Sequence, residues 1–185
     1  MDKALVINLF GGPGCGKSTT MARLFADLKA MGYNVEMVSE FAKDLVYEQR
    51  QETMKDELYI FAKQHHRLFR VADKVDIIIT DRPLLLTNIY AKLYLPEDEF
   101  RNDLVRLVRT TFNNFRNINI LLNRNGIQYQ TEGRLQNLEE SKEIDEMTLE
   151  ELVLSRQSYF ARQTCNYDMI LDTVLSRIQL EAIED

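Results

Sequence analysis

Apolar positions along the chain fall into two kinds of run. Four short runs are almost unbroken: Ala4-Leu-Val-Ile-Asn-Leu-Phe10, Val35–Val38, Asp76-Ile-Ile-Ile-Thr-Asp81 and Ile118–Leu122. Runs of this length without alternation predict strands covered on both sheet faces. Between them the apolar residues recur at helical spacing. Met21, Leu24, Phe25 and Leu28 stand at i, i+3, i+4 and i+7 and predict a helix over Ser18–Met31, closed by Gly32. Helical pattern continues over Phe41–Gln51 and again through Leu58, Phe61, Ala62, His65, Phe69 and Ala72. Pro83 suits the first turn of a helix reaching Tyr94. Pro96-Glu-Asp-Glu99 places acids at the positive end of another, which carries Phe100, Leu104, Leu107, Val108, Phe112 and Phe115 on one side. Residues 123–147 lack a clear apolar period. Thr148-Leu-Glu-Glu151 reads as a capping box for a helix to about Thr164, followed by a fifth strand at Tyr167–Asp172 and a last helix. Strands alternating with helices predict an α/β fold: a five-stranded, mostly parallel sheet with helices on both faces. With no internal repeat or linker, residues 1–185 are expected to form one domain, with 123–147 as a lid.

Composition narrows the function classes. The 185 residues are 45% hydrophobic and 28% charged, enough to bury a core and unlike a disordered chain. A net charge of −6 argues against a broad basic face for duplex DNA. The only cysteines, Cys15 and Cys165, and the adjacent His65 and His66 provide neither a disulfide framework nor a cysteine–histidine metal site, and fit a reducing compartment. The first apolar run holds seven residues, too few for a signal-peptide core or a membrane span, so a cytoplasmic protein without a membrane partner is expected.

The chemistry is carried by Gly11-Gly12-Pro13-Gly14-Cys15-Gly16-Lys17-Ser18, a G-x-x-x-x-G-K-S loop between a predicted strand and a predicted helix. Its glycines let backbone N–H groups turn toward a polyphosphate, Lys17 reaches the β- and γ-phosphates, and the Ser18 hydroxyl can hold Mg2+. The helix opening at Ser18-Thr19 directs its positive end at the same charge. The residues expected to bind ATP are thus Gly11 through Thr19. Such a site needs a second acid for the metal, and Asp81, at the end of an Ile-Ile-Ile-Thr strand, is the candidate. The competing reading of Asp81 is a helix N-cap before Pro83.

The guanine-specific N-K-x-D and D-x-x-G segments are absent, as is L-S-G-G-Q, and an AAA-type motor module would need more chain. A compact nucleoside or nucleotide kinase module remains. Glu40, in Ser39-Glu-Phe-Ala-Lys43 at the end of the second strand, is placed to take a proton from an acceptor hydroxyl, with Lys43 one turn on to keep it ionised. Arg82 can place a guanidinium on the transferring phosphoryl group. Arg124, Tyr129, Gly133, Arg134 and Gln136 form an aperiodic segment suited to a lid, from which Arg124 and Arg134 can stabilise transferred charge and Arg124 can hold ATP. Leu104–Gln130 contains four arginines and no acid, while Glu139–Glu151 holds seven acids and one lysine. The histidine His65 and the thiol of Cys165 are expected in or near the core.

The P-loop, Val38-Ser-Glu40-Phe-Ala-Lys43, Thr80-Asp81-Arg-Pro-Leu-Leu-Leu86 and Arg124…Tyr129…Gly133-Arg134 resemble the P-loop kinase family that includes the nicotinamide riboside kinase domain of bacterial NAD-biosynthesis regulators. Bacteriophage proteins of the same AAA-like kinase group share the pattern. The resemblance covers most of the chain and implies an ATP- and Mg2+-dependent kinase acting on a nucleoside-like hydroxyl. Asp81-Arg82 also resembles thymidylate kinases, where the Arg meets an acceptor phosphate, which keeps a deoxynucleoside monophosphate acceptor open. Phages that hypermodify thymine use P-loop kinases on 5-hydroxymethyluracil within DNA, so DNA, as a base or a polynucleotide end, is a second acceptor class, for which the acid-free arginine stretch would track a single strand. A regulatory ATPase is the third reading.

Overall fold

The computed structural model describes residues 4–124 and 136–184. Five strands, β1 (Leu5–Phe10), β2 (Val35–Val38), β3 (Ile77–Thr80), β4 (Arg116–Asn123) and β5 (Phe160–Gln163), form one sheet in the order β2-β3-β1-β4-β5. Every pairing is parallel: Leu5 lies opposite Ile77 and Arg116, Val35 opposite Ile77, and Ile120 opposite Phe160. The α/β reading of the sequence, with helices on both faces of a parallel sheet, holds.

Alternation along β1 divides the core. Leu5, Ile7 and Leu9 face α1 (Lys17–Ala30) and α7 (Tyr167–Glu184), packing with Leu24, Leu28, Ile170 and Val174. Val6 and Phe10 face α3 (Glu57–Phe69), α4 (Leu86–Tyr94), α5 (Glu99–Phe112) and α6 (Leu138–Leu154) through Phe61, Ile89, Val108, Phe112 and Leu152. The short helix α2 (Ala42–Tyr47) and a 3-10 turn over Thr53–Lys55 lead from β2 into α3. Asn8 is the polar exception in the central strand. Its amide donates to Asn117 Oδ1 at 2.8 Å and Asn119 Oδ1 at 3.1 Å, so the buried group is paired across the β1–β4 ladder.

Three elements differ from the sequence expectation. The helix placed at Thr148–Thr164 begins ten residues earlier, at Leu138, behind a capping box formed by Asn137 and Glu140, and ends at Leu154. Thr148 lies mid-helix, its hydroxyl donating to the Ile144 carbonyl at 2.6 Å. The fifth strand is Phe160–Gln163, and Tyr167–Asp172 is the start of α7. On α3 the buried stripe is Glu57, Ile60, Phe61, Gln64 and Leu68, which leaves Leu58 and Phe69 exposed and His65 half-buried between the Phe61 and Phe69 rings. Cys165 is exposed and Cys15 buried.

Candidate active site

All strands being parallel, the loops after them leave from one edge of the sheet. The P-loop follows β1, Ser39-Glu40 follows β2, Asp81-Arg82 follows β3, Arg124 follows β4 and Thr164 follows β5. That edge is where open α/β sheets bind ligands. Here it carries a cleft of about 580 Å³, lined by Gly14, Lys17 and Ser18 of the P-loop and by Glu40, Glu57, Arg82 and Tyr90.

The loop itself needs its glycines. Gly11, Gly14 and Gly16 have φ of 134°, 79° and 90°, the left-handed region. Gly12 is required for a different reason: a Cβ there would lie 2.4 Å from the Ser141 carbonyl oxygen and 2.9 Å from Asp145 Oδ1. Helix α6 therefore rests directly on the loop. The Lys17 ammonium is folded back across the loop, donating to the carbonyls of Gly11 at 2.6 Å and Gly12 at 2.8 Å. Ser18 and Thr19 open α1 with exposed side chains on the cleft.

Asp81 is 6% exposed, and its Oδ1 accepts a 2.9 Å hydrogen bond from the Glu40 backbone N–H. It caps no helix: α4 begins only at Leu86, without a side-chain cap. Burial and the neighbouring Glu40 carboxylate push the Asp81 carboxyl up, against the opposing pull of the Lys17 charge. Among the described residues no cluster of three His, Cys, Asp or Glu side chains could hold a metal. Asp81 and the Ser18 hydroxyl on one cleft are the donor set that suits Mg2+, which is bound by one or two protein groups together with substrate phosphates.

Beside the P-loop, the cleft holds a chain of charges around one guanidinium. Arg82 is 4% exposed; its NH1 donates to Glu40 Oε1 at 3.0 Å, its NH2 lies 3.7 Å from Glu57 Oε2, and its guanidinium stands 4.4 Å over the Tyr90 ring. The cation beside Glu40 is thus Arg82, while the Lys43 ammonium lies over the Tyr47 ring. Glu57, the first residue of α3, is 1% exposed, and burial, assisted by Glu40 and Asp56 and opposed by Arg82, raises its carboxyl to about 7.

Arg124 does not face the cleft. Its Nε donates to Asp145 Oδ2 at 2.6 Å, and its other nitrogens donate to the carbonyls of Pro13 at 3.2 Å and Ser141 at 3.0 Å. Asp145 Oδ1 accepts from the Gly12 N–H at 2.5 Å. Arg124 and Asp145 together hold the first turn of the P-loop to α6. Tyr129, Gly133 and Arg134 lie outside the described residues, and the latter part of the predicted lid, from Leu138, is the opening of α6. The other arginines of the acid-free stretch are also paired: Arg106 with Asp103, Arg109 with Glu151 and Arg116 with Glu181.

Sequence reasoning missed Glu57, Asp145 and Thr164. The Thr164 hydroxyl donates to the Cys15 carbonyl at 2.8 Å and fixes the loop from the β5 side. A signal existed for Glu57, an acid on the same helix face as Ile60, Phe61 and Gln64. Asp145 gave none, since it stands among six other acids.

The fold is shared with solved structures. A NadR protein in complex with NR superposes with a TM-score of 0.71 at 22% identity, over 92% of this chain and 50% of that one. NadR in complex with NAD and AMP-PNP gives 0.61 at 20% identity, over 92% and 48%. A thymidylate kinase from Ehrlichia chaffeensis gives 0.62 at 15% identity, over 95% and 98%. The chain thus spans about half the length of the NadR proteins and nearly all of the thymidylate kinase. No curated protein matches it in sequence. Residues 6–168, most of the length and including the whole P-loop, match the AAA domain model, and the chain belongs to that family.

Proposed function

We propose that this protein is an ATP- and Mg2+-dependent kinase that transfers the γ-phosphate to a hydroxyl of a nucleoside-like acceptor. The observation that carries the reading is the single cleft in which the P-loop faces the Glu40–Arg82 pair. Its volume lies within the roughly 300–1,000 Å³ of small-molecule sites. The backbone N–H groups of Gly14 through Ser18 receive the phosphates of ATP. Lys17 exchanges its two loop carbonyls for the β- and γ-phosphates. Ser18 and Asp81 hold the metal, which when bound neutralises charge on the phosphates. Glu40 takes the proton of the attacking hydroxyl, and Arg82 holds the Glu40 carboxylate in place.

The charges at the acceptor end favour a hydroxyl over a monophosphate. Arg82 already has Glu40 at 3.0 Å and Glu57 at 3.7 Å. A phosphate on Arg82 would add negative charge beside those two carboxylates and Asp81. The DNA reading drew on the acid-free arginine stretch, and all four of its arginines are neutralised by carboxylates. That the cleft is lined by Glu40, Glu57 and Arg82 as well as by the P-loop supports a kinase over a regulatory ATPase. The test is a screen with [γ-³²P]ATP over nicotinamide riboside, ribo- and deoxynucleosides, their monophosphates, and oligonucleotides with and without hydroxymethylated bases. Labelled nucleoside with the wild type, and none with Lys17→Ala, is the expected result. Label only in monophosphates or oligonucleotides overturns the hydroxyl-nucleoside reading, and ADP release without any labelled acceptor favours the ATPase.

A further inference from the structure

Two buried polar atoms at the acceptor end have no hydrogen-bond partner among the described residues: Glu57 Oε2 and Arg82 Nε. Native interiors leave few such atoms, and each one needs a reason. The usual reasons do not serve here. At 3.7 Å from Arg82 NH2, Glu57 Oε2 is too far for a hydrogen bond, so the pair is no compact salt bridge. Arg82 is already charge-paired with Glu40, and a second carboxylate is not required to balance it. Nor does Glu57 cap a helix, because the cap of α3 is Asp56, which accepts from the Tyr59 N–H at 3.0 Å. Yet Glu57 lines the same cleft as Lys17, Ser18 and Glu40.

We infer that Glu57 is a specificity residue for the acceptor: its incompletely paired carboxylate, which lines the cleft, takes a hydrogen bond from a neutral N–H or O–H donor of the acceptor other than the hydroxyl that is phosphorylated. This inference rests on the kinase reading above. Glu40 and Glu57 flank one guanidinium, so a single small acceptor spans both, presenting its reacting hydroxyl to Glu40 and a second donor to Glu57. The raised affinity of Glu57 for protons is consistent with this, since a donor from the ligand would supply the stabilisation that burial withholds. An acceptor without that donor leaves the carboxylate buried and unpaired, which is how a site built around a hydrogen bond rejects an analogue. Two parts of a nucleoside can provide it: another sugar hydroxyl or a base N–H.

The experiment pairs Glu57→Gln with acceptor analogues. The nucleoside phosphorylated best by the wild type is compared with its 2′-deoxy, 3′-deoxy and base-N-methylated forms, measuring acceptor KM, kcat and ATP KM for both proteins. For one analogue the wild type should lose on the order of tenfold or more in kcat/KM, largely in KM, with ATP KM unchanged. Glu57→Gln should lose on the order of tenfold with the parent nucleoside and be nearly indifferent to that same modification. Which analogue shows the interaction distinguishes sugar from base. Equal losses for every analogue in both proteins overturn the inference and leave the kinase intact. If the wild type labels no nucleoside, both fall together. Thermal melting guards against misfolding: should Glu57→Gln be unfolded, Glu57→Ala replaces it, and if neither folds Glu57 is structural and the inference is wrong.

Discussion

Glu40, Arg82 and Glu57 come from three separate stretches of sequence, and their roles follow from which atoms each can reach. Glu40 is held by a guanidinium rather than by a lysine one turn away; glutamine there keeps an oxygen to accept from Arg82 but, in the proposed reaction, cannot take the proton. Glu40→Gln should lower kcat on the order of a hundredfold with little change in ATP KM, the ordinary range for a general base, as steady-state kinetics would show. A rise in acceptor KM alone would make it a binding group. Glu57 leaves a signature in stability as well. Its carboxyl is raised from 4.5 to about 7 by burial, with Arg82 opposing and Glu40 and Asp56 reinforcing. The folded state therefore binds the extra proton. The associated stability is full below about pH 4.5 and is lost as pH rises through about 7. Two and a half pKa steps correspond to on the order of 3 kcal/mol. Chemical denaturation of the wild type should lose stability over that window relative to Glu57→Gln; parallel curves would show that Glu57 is ionised throughout.

At the scale of elements, α6 joins the halves of the site. Asp145 and Arg124 bind it to the P-loop, and Glu151, two turns on, binds it to α4 and α5. Burial pushes the Glu151 carboxyl up, but hydrogen bonds from Arg109, Asn88 and Ser155 outweigh it and hold it below the usual carboxylate range. Asp145→Ala leaves the Gly12 N–H and the Arg124 guanidinium without their carboxylate. It should cost about 1–3 kcal/mol of stability and raise ATP KM more than it lowers kcat, read by melting and kinetics together. This element was also the least legible. Asn137-Leu-Glu-Glu140 has the same capping pattern as the Thr148-Leu-Glu-Glu151 expected from the sequence, but the aperiodic stretch in which it lies gave no sign of a helix. The structure chooses the first, where the Glu140 N–H donates to Asn137 Oδ1 at 3.0 Å and the Asn137 N–H to Glu140 Oε2 at 2.7 Å. β5 was hidden because it is a four-residue edge strand reading Phe-Ala-Arg-Gln, and Tyr167–Asp172 has a helix's apolar face that looks equally like a short buried strand. By contrast, β1 and β3 were legible to within a residue at each end, and the P-loop from its motif. Doubly covered strands need unbroken apolar runs, and the loop needs glycine wherever φ is positive.

The net charge over the whole molecule is −6. The arginines of the stretch from Leu104 to Arg124 are ion-paired with Asp103, Glu151, Glu181 and Asp145. A small uncharged acceptor should then bind with a shallow dependence on salt, and single-stranded oligonucleotides should not compete with it. A log–log salt slope of several units would mean that a row of phosphates is engaged, and would return DNA as the acceptor.

The sheet order also dictates when this protein can come into being on the ribosome. β1 lies in the centre, and its partners lie far downstream: Leu5 pairs with Ile77, 72 residues later, and with Arg116, 111 residues later. Until β4 has been synthesised, the strand that carries the P-loop has an unpaired apolar edge on one side, the kind of long-range closure that slows folding and exposes a nascent chain to aggregation. Nascent chains arrested before β4 emerges should remain open to protease at Gly11–Gly16, and those arrested after it should acquire protection there abruptly.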